Sequence, residues 1–146
     1  MTPAGISQRT RKQAGHSVIE VGLMAPWIFL LFIAIFDFGF IAYALISVQN
    51  AARGAALATA ASPAARLDSV ACNYVLQELR SLPNADEMPG DCSAAPLSVQ
   101  VTPFVDAENK AASRVTVNYR TVALIPIPWM DPPAITRVAE ARVYGD

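Results

Sequence analysis

Residues 18–48 read VIEVGLMAPWIFLLFIAIFDFGFIAYALISV, and the reading of this stretch decides the fold. Residues 21–36 carry no charge, residues 38–48 carry none, and the single carboxylate between them is Asp37. Counted through Asp37, the apolar stretch runs for about 28 residues, or about 42 Å as an α-helix. A hydrocarbon core of about 30 Å is shorter than that. One helix can therefore cross a bilayer and continue beyond it. Pro26 removes a backbone donor and is expected to kink the helix, a defect that neighbouring groups can satisfy inside a membrane.

Working outward from that helix, the first fifteen residues hold Arg9, Arg11 and Lys12 and no acid. A basic tail before an apolar span stays in the cytoplasm by the positive-inside rule. A removable secretory signal opens the same way, but its apolar core is only roughly 7–15 residues long. We therefore expect an uncleaved membrane anchor with the remainder of the chain outside the cytoplasm. Residues 1–14 are polar and expected to be disordered, with helical character starting near Ser17. The expected organisation is a basic leader (1–15), a transmembrane and extended helix (16–61) and an α+β domain (62–146).

The whole chain is 53% hydrophobic and 16% charged, well under the roughly 25% charged residues of soluble domains. Its net charge of −1 leaves no basic face for phosphate neutralisation, which argues against a nucleic-acid partner. Residues 49–61 are mostly alanine and continue the helix. Ala51 with Ala55, and Ala52 with Ala56, form small i, i+4 faces that either allow another helix to approach closely or reflect helix propensity alone.

Ser62-Pro63 reads as an N-cap followed by Pro at N1, so a second helix is expected from there to Pro83. Leu67, Val70, Ala71, Tyr74, Val75, Leu79 and Leu82 would form its apolar face. A Pro/Gly-rich loop follows over residues 83–96. The last third changes period. Leu97, Val99 and Val101 alternate with polar residues, as do Val115, Val117 and Tyr119. A weaker run covers residues 135–144, and residues 106–113 fit a hairpin connection. The four prolines of residues 126–133 exclude strand interior. The fold class is thus α+β: a long N-terminal transmembrane helix, a second helix and about three antiparallel strands.

Cys72 and Cys92 both follow the span and so face the oxidising side, where a bridge closes a loop of about 20 residues. Two free thiols are the alternative. Two cysteines and one histidine cannot build a standard zinc site, and no cofactor is expected. The only histidine, His16, lies beside the start of the span, so the outer domain has no base for a Ser-His-Asp or Cys-His arrangement. No catalytic residue is assigned and no enzyme activity is expected. Asp86, Glu87 and Asp91 read as solvated loop charge. Trp129 and Met130 form an apolar patch that packs on the sheet or touches a membrane or partner.

One constellation remains, Gly15-His16-Ser17-Val18-Ile19-Glu20. A carboxylate at mid-membrane costs on the order of 2.5–3.5 kcal/mol, less at the interface. Glu20 therefore either reaches to headgroups or has a partner. A cut after Gly15 would supply one: the new α-amino group at His16 of a neighbouring parallel helix, at the same depth.

These residues resemble a known family. Gly15, with basic residues before it, Glu20 five residues later and an apolar helix after, resembles the processing site of type IV prepilins, where an aspartyl prepilin peptidase cleaves after the glycine. Glu20, then Pro26, then Asp37-Phe38-Gly39, then Asn50-Ala51-Ala52-Arg53-Gly54-Ala55, is similar to the TadE-like proteins of the tight-adherence (Flp) pilus. The resemblance covers residues 11–56 in detail. It implies a minor pilin or pseudopilin of the bacterial inner membrane, N-terminus cytoplasmic and C-terminal domain periplasmic, with Gly15 and His16 as processing site. It further implies docking through Glu20, and a TadF-like companion, platform proteins, the major pilin and membrane lipid as partners. Where the family often has Gly-Arg after the acidic-Phe pair, this chain has Gly39-Phe40. That removes a cation near Asp37 and places the carboxylate in an intermolecular interface or at the outer membrane surface. The competing expectation is a single-pass anchor whose periplasmic domain binds a ligand or partner without entering a filament.

Overall fold

The computed structural model describes residues 9–122, 131 and 133–143, with the side chains of the first helix described from residue 18 onward. Its helices are α1 (Arg9–Thr59) and α2 (Asp68–Glu78), with 3-10 turns at Pro63–Ala65, Leu79–Ser81 and Ala85–Glu87. Its strands are β1 (Ser93–Ala94), β2 (Leu97–Val105), β3 (Ala111–Arg120) and β4 (Ala134–Arg142), in one antiparallel sheet of order β1-β2-β3-β4. The class is α+β. The strand beyond the three expected is β1, whose two residues are too short to show an alternation. The chain divides into two compact units between Phe38 and Gly39.

In the first unit the helix begins at Arg9, not near Ser17. Arg, Lys, Gln and Ala are strong helix formers, and their propensity offsets the cost of about 1 kcal/mol for Gly15. Pro26 lies inside the helix without ending it. The large apolar side chains from Val18 to Phe38 are exposed on every side of the helix, Trp27 at 73% and Phe38 at 76%. A helix apolar all round belongs in a protein core or a membrane, and this one has no protein core around it. Phe32 and Phe36, one turn apart, stack with ring centroids 6.1 Å apart.

The second unit has a single core. Ala44, Val48, Ala51, Ala52, Ala55 and Ala56 form the buried stripe of α1. They pack with Ala71, Cys72, Val75 and Leu79, with Leu97 and Val99 of β2, with Val115, Val117 and Tyr119 of β3, and with Ile135 of β4. The paired alanine faces thus serve close packing within this unit. At the end of the stripe Thr59 donates to the Ala56 carbonyl at 3.1 Å and shares a 2.8 Å hydrogen bond with Ser113, so both buried hydroxyls are satisfied.

The second helix departs from expectation. Ser62-Pro63 opens only a 3-10 turn, and α2 starts at Asp68 behind an extended Leu67. Its buried face is Ala71, Cys72 and Val75, while Leu67 and Tyr74 are exposed at 56% and 51%. An 11-residue helix buries a narrow stripe, and the wider periodic set overshoots it. The Asp106 carboxylate accepts the Glu108 and Lys110 amides at 3.0 and 2.8 Å, and Asn109 takes the left-handed conformation at φ 59°, closing the β2–β3 hairpin. The apolar pair Trp129 and Met130 lies outside the described residues.

Candidate functional site

Gly15 and His16 fall within α1, and their side chains lie outside those described. Glu20 is exposed on the helix, flanked by Ile19 and Val21, themselves 68% and 67% exposed. Asp37 is half-buried and has an interaction of its own. Gly22 and Gly39 have open space where a Cβ would stand. Among the described residues nothing crowds either position, and each helix-interior glycine costs about 1 kcal/mol against alanine. A carboxylate near one end of a lipid-length apolar rod is what the first unit offers to its surroundings.

In the second unit Cys72 and Cys92 form a disulfide with Cα atoms 5.7 Å apart. The bridge ties the loop back to α2. Cys92, at φ 50°, also accepts a 3.0 Å hydrogen bond from the Val99 amide. Further along the same edge Asp68 accepts the Val101 amide at 2.7 Å, and Pro103 has no amide to donate. The β2 edge is thus closed to further strand pairing by three different devices. At the end of the sheet the Tyr119 hydroxyl donates to Asn84 at 2.5 Å, and the Asn84 amide donates to the Arg120 carbonyl at 3.3 Å. Burial pushes the Tyr119 phenol above its ordinary range, partly offset by the bond to Asn84.

The solvent face of the sheet is held by cross-strand polar pairs. Arg114 and Glu140, directly opposite in register, form a 2.7 Å ion pair, and Arg114 lies 4.8 Å over the Phe104 ring. Arg142 pairs with Asp106 and Glu108 of the hairpin turn. Such exposed pairs contribute about 0–1 kcal/mol each. In the acidic loop the Ser93 hydroxyl and then the Ser93 amide, at 2.9 and 3.3 Å, hold the Asp91 carboxyl below its usual range. Among the described residues no group of three or more His, Cys, Asp or Glu is arranged to hold a metal ion.

Sequence reasoning missed an open groove of about 350 Å³ lined by Leu45, Ile46, Gln49, Asn50, Arg53 and Arg137. It splits the Asn50-Ala51-Ala52-Arg53 segment: the alanines enter the core, while Asn50 and Arg53 line the groove. A signal was present in β4, where Ile135, Arg137, Ala139 and Ala141 share one alternation face and Arg137 is its only charge.

The geometry defines a class: a chain whose one long apolar N-terminal helix, 42 residues of it from Val18 to Thr59, suggests a single-pass membrane anchor, followed by a disulfide-closed α+β unit. A family model described as TadE-like protein matches residues 15–57, the segment that begins at the candidate processing glycine and ends beyond Arg53. The N-terminal segment of the chain is therefore similar to TadE-like proteins over those residues. No curated protein and no solved structure matches the chain.

Proposed function

We propose that this chain is a minor pilin or pseudopilin that acts in assembly or initiation of a tight-adherence pilus. The observation that carries the reading is the coincidence of the TadE-like match at residues 15–57 with an exposed, all-round apolar helix bearing Glu20 near its start. In this reading residues 1–15 lie in the cytoplasm, α1 crosses the inner membrane and the disulfide-bearing unit lies in the periplasm. Prepilin peptidase cuts after Gly15, and the new amine of His16 on one copy neutralises Glu20 on a neighbour. Pairing of two charges that would otherwise face lipid separately is favourable because each alone carries a desolvation cost. A TadF-like companion, the platform proteins and the major pilin are its partners, and its role is structural, with no catalysis of its own.

The test is Glu20→Ala. Cleavage should remain largely intact, while recovery of the protein with sheared or immunoprecipitated pilus components should fall about tenfold, matching roughly 1.4 kcal/mol of lost pairing. Undiminished co-purification would contradict the docking role.

A further inference from the structure

The groove beside β4 carries two arginines with no carboxylate partner. The ion pairs of Arg114 and Arg142 run to Glu140 and to Asp106 and Glu108, and the hydrogen bond of the Arg137 side chain runs to the neighbouring Thr136 carbonyl at 3.1 Å. Arg137 is opposite Val117, a core residue, so its guanidinium stands on the core-facing side of an edge strand. An inward-pointing charge on an edge strand blunts that edge against further strand pairing and leaves a guanidinium at the groove. Gln49 and Asn50 add amide donors to the same groove.

An exposed turn of the same unit carries the complementary charge. The 3-10 turn Ala85–Glu87 follows Asn84, whose side chain bonds Tyr119 and the Arg120 carbonyl at the end of β3. Asp86 and Glu87 are exposed there, and no hydrogen bond or ion pair engages their carboxylates, whereas Asp91 nearby is already held by Ser93.

We propose that the groove of Arg53 and Arg137 receives the Asp86-Glu87 turn of a second copy of this chain. Guanidinium forks suit carboxylates, and the two patches differ, so the contact is heterologous, joining the groove of one copy to the turn of the next. The contact concerns residues 39–146 alone and does not rest on cleavage or on the pilus reading.

The test uses full-length chains carrying donor or acceptor fluorophores at the C-terminus, reconstituted in phosphatidylcholine vesicles, with energy transfer as the readout. Arg53→Glu with Arg137→Glu makes both patches acidic, and Asp86→Arg with Glu87→Arg makes both basic. Each variant alone should associate about tenfold or more weakly than the native chain. The two mixed together should recover to within about twofold, because every groove again meets an opposite turn. If Arg137→Glu fails to fold, judged by loss of the disulfide, Arg53→Glu against the basic variant reads the same compensation. A mixture no better than either variant alone overturns the proposal and assigns the groove to lipid phosphate or to another protein. Native-level association in both single-sign variants also overturns it.

Discussion

Reduction of the Cys72–Cys92 bridge offers a perturbation whose size follows from its place in the chain. The bridged residues are 20 apart. Removing that constraint from the unfolded ensemble is worth about 3 kcal/mol on the chain-entropy relation. Both cysteines are buried, at 2% and 1% exposure, and reduction removes the cross-link without removing either side chain. Cys72→Ala with Cys92→Ala should cost about 1 kcal/mol more, for lost buried volume. Three kcal/mol is a large part of the roughly 5–15 kcal/mol that holds a domain together. Urea titration of the full chain in detergent, with and without reductant, should show the difference, and the melting midpoint should fall by roughly 10–20 °C. Amide exchange localises the effect. The Val99 amide, bonded to Cys92 O, should lose protection before that of Val117 in the central strand. A reduced protein whose stability matches the oxidised one within about 0.5 kcal/mol would refute the view that this bridge stabilises the fold.

Two further expectations concern the core. Burial raises the Tyr119 pKa in the folded state, so the unfolded chain ionises first: stability is full below about pH 10 and falls as pH rises above it. Tyr119→Phe should flatten that alkaline slope in denaturation curves, while losing about 1–3 kcal/mol at neutral pH because Asn84 keeps an unsatisfied oxygen. Ala55→Leu, at a position with 0% exposure, should destabilise by about 1–3 kcal/mol through overpacking, and a neutral result in the same titration would remove α1 from the core.

The strongest periodic and compositional signals were legible. The apolar rod, the alternations at Leu97–Val101 and Val115–Tyr119, and the placement of both cysteines follow from burial physics acting over many residues at once. What failed was local. Ser62-Pro63 has the chemistry of a helix start, yet the chain turns again before Asp68, whose carboxylate serves β2 as well as the helix. Tyr74 fits the helical period but faces solvent, because only a narrow stripe of α2 meets the sheet. The alanine pairs at 51, 55, 52 and 56 signal close approach without saying to what, and the sheet of the same unit turned out to share their core. Arg53 and Arg137 are 84 positions apart, and no local pattern brings them to one groove. The TadE-like signature was carried by residue types at fixed spacings along one helix, which survive without any knowledge of the outer unit.

Cleavage after Gly15 is the event that the pilin role requires. Intact mass of the protein extracted from membranes, in cells with and without prepilin peptidase, measures it directly. The expected result is a chain beginning at His16 when the peptidase is present, and a precursor retaining residues 1–15 when it is absent. A chain that keeps Met1 in both strains would contradict the account and leave a permanent anchor in its place.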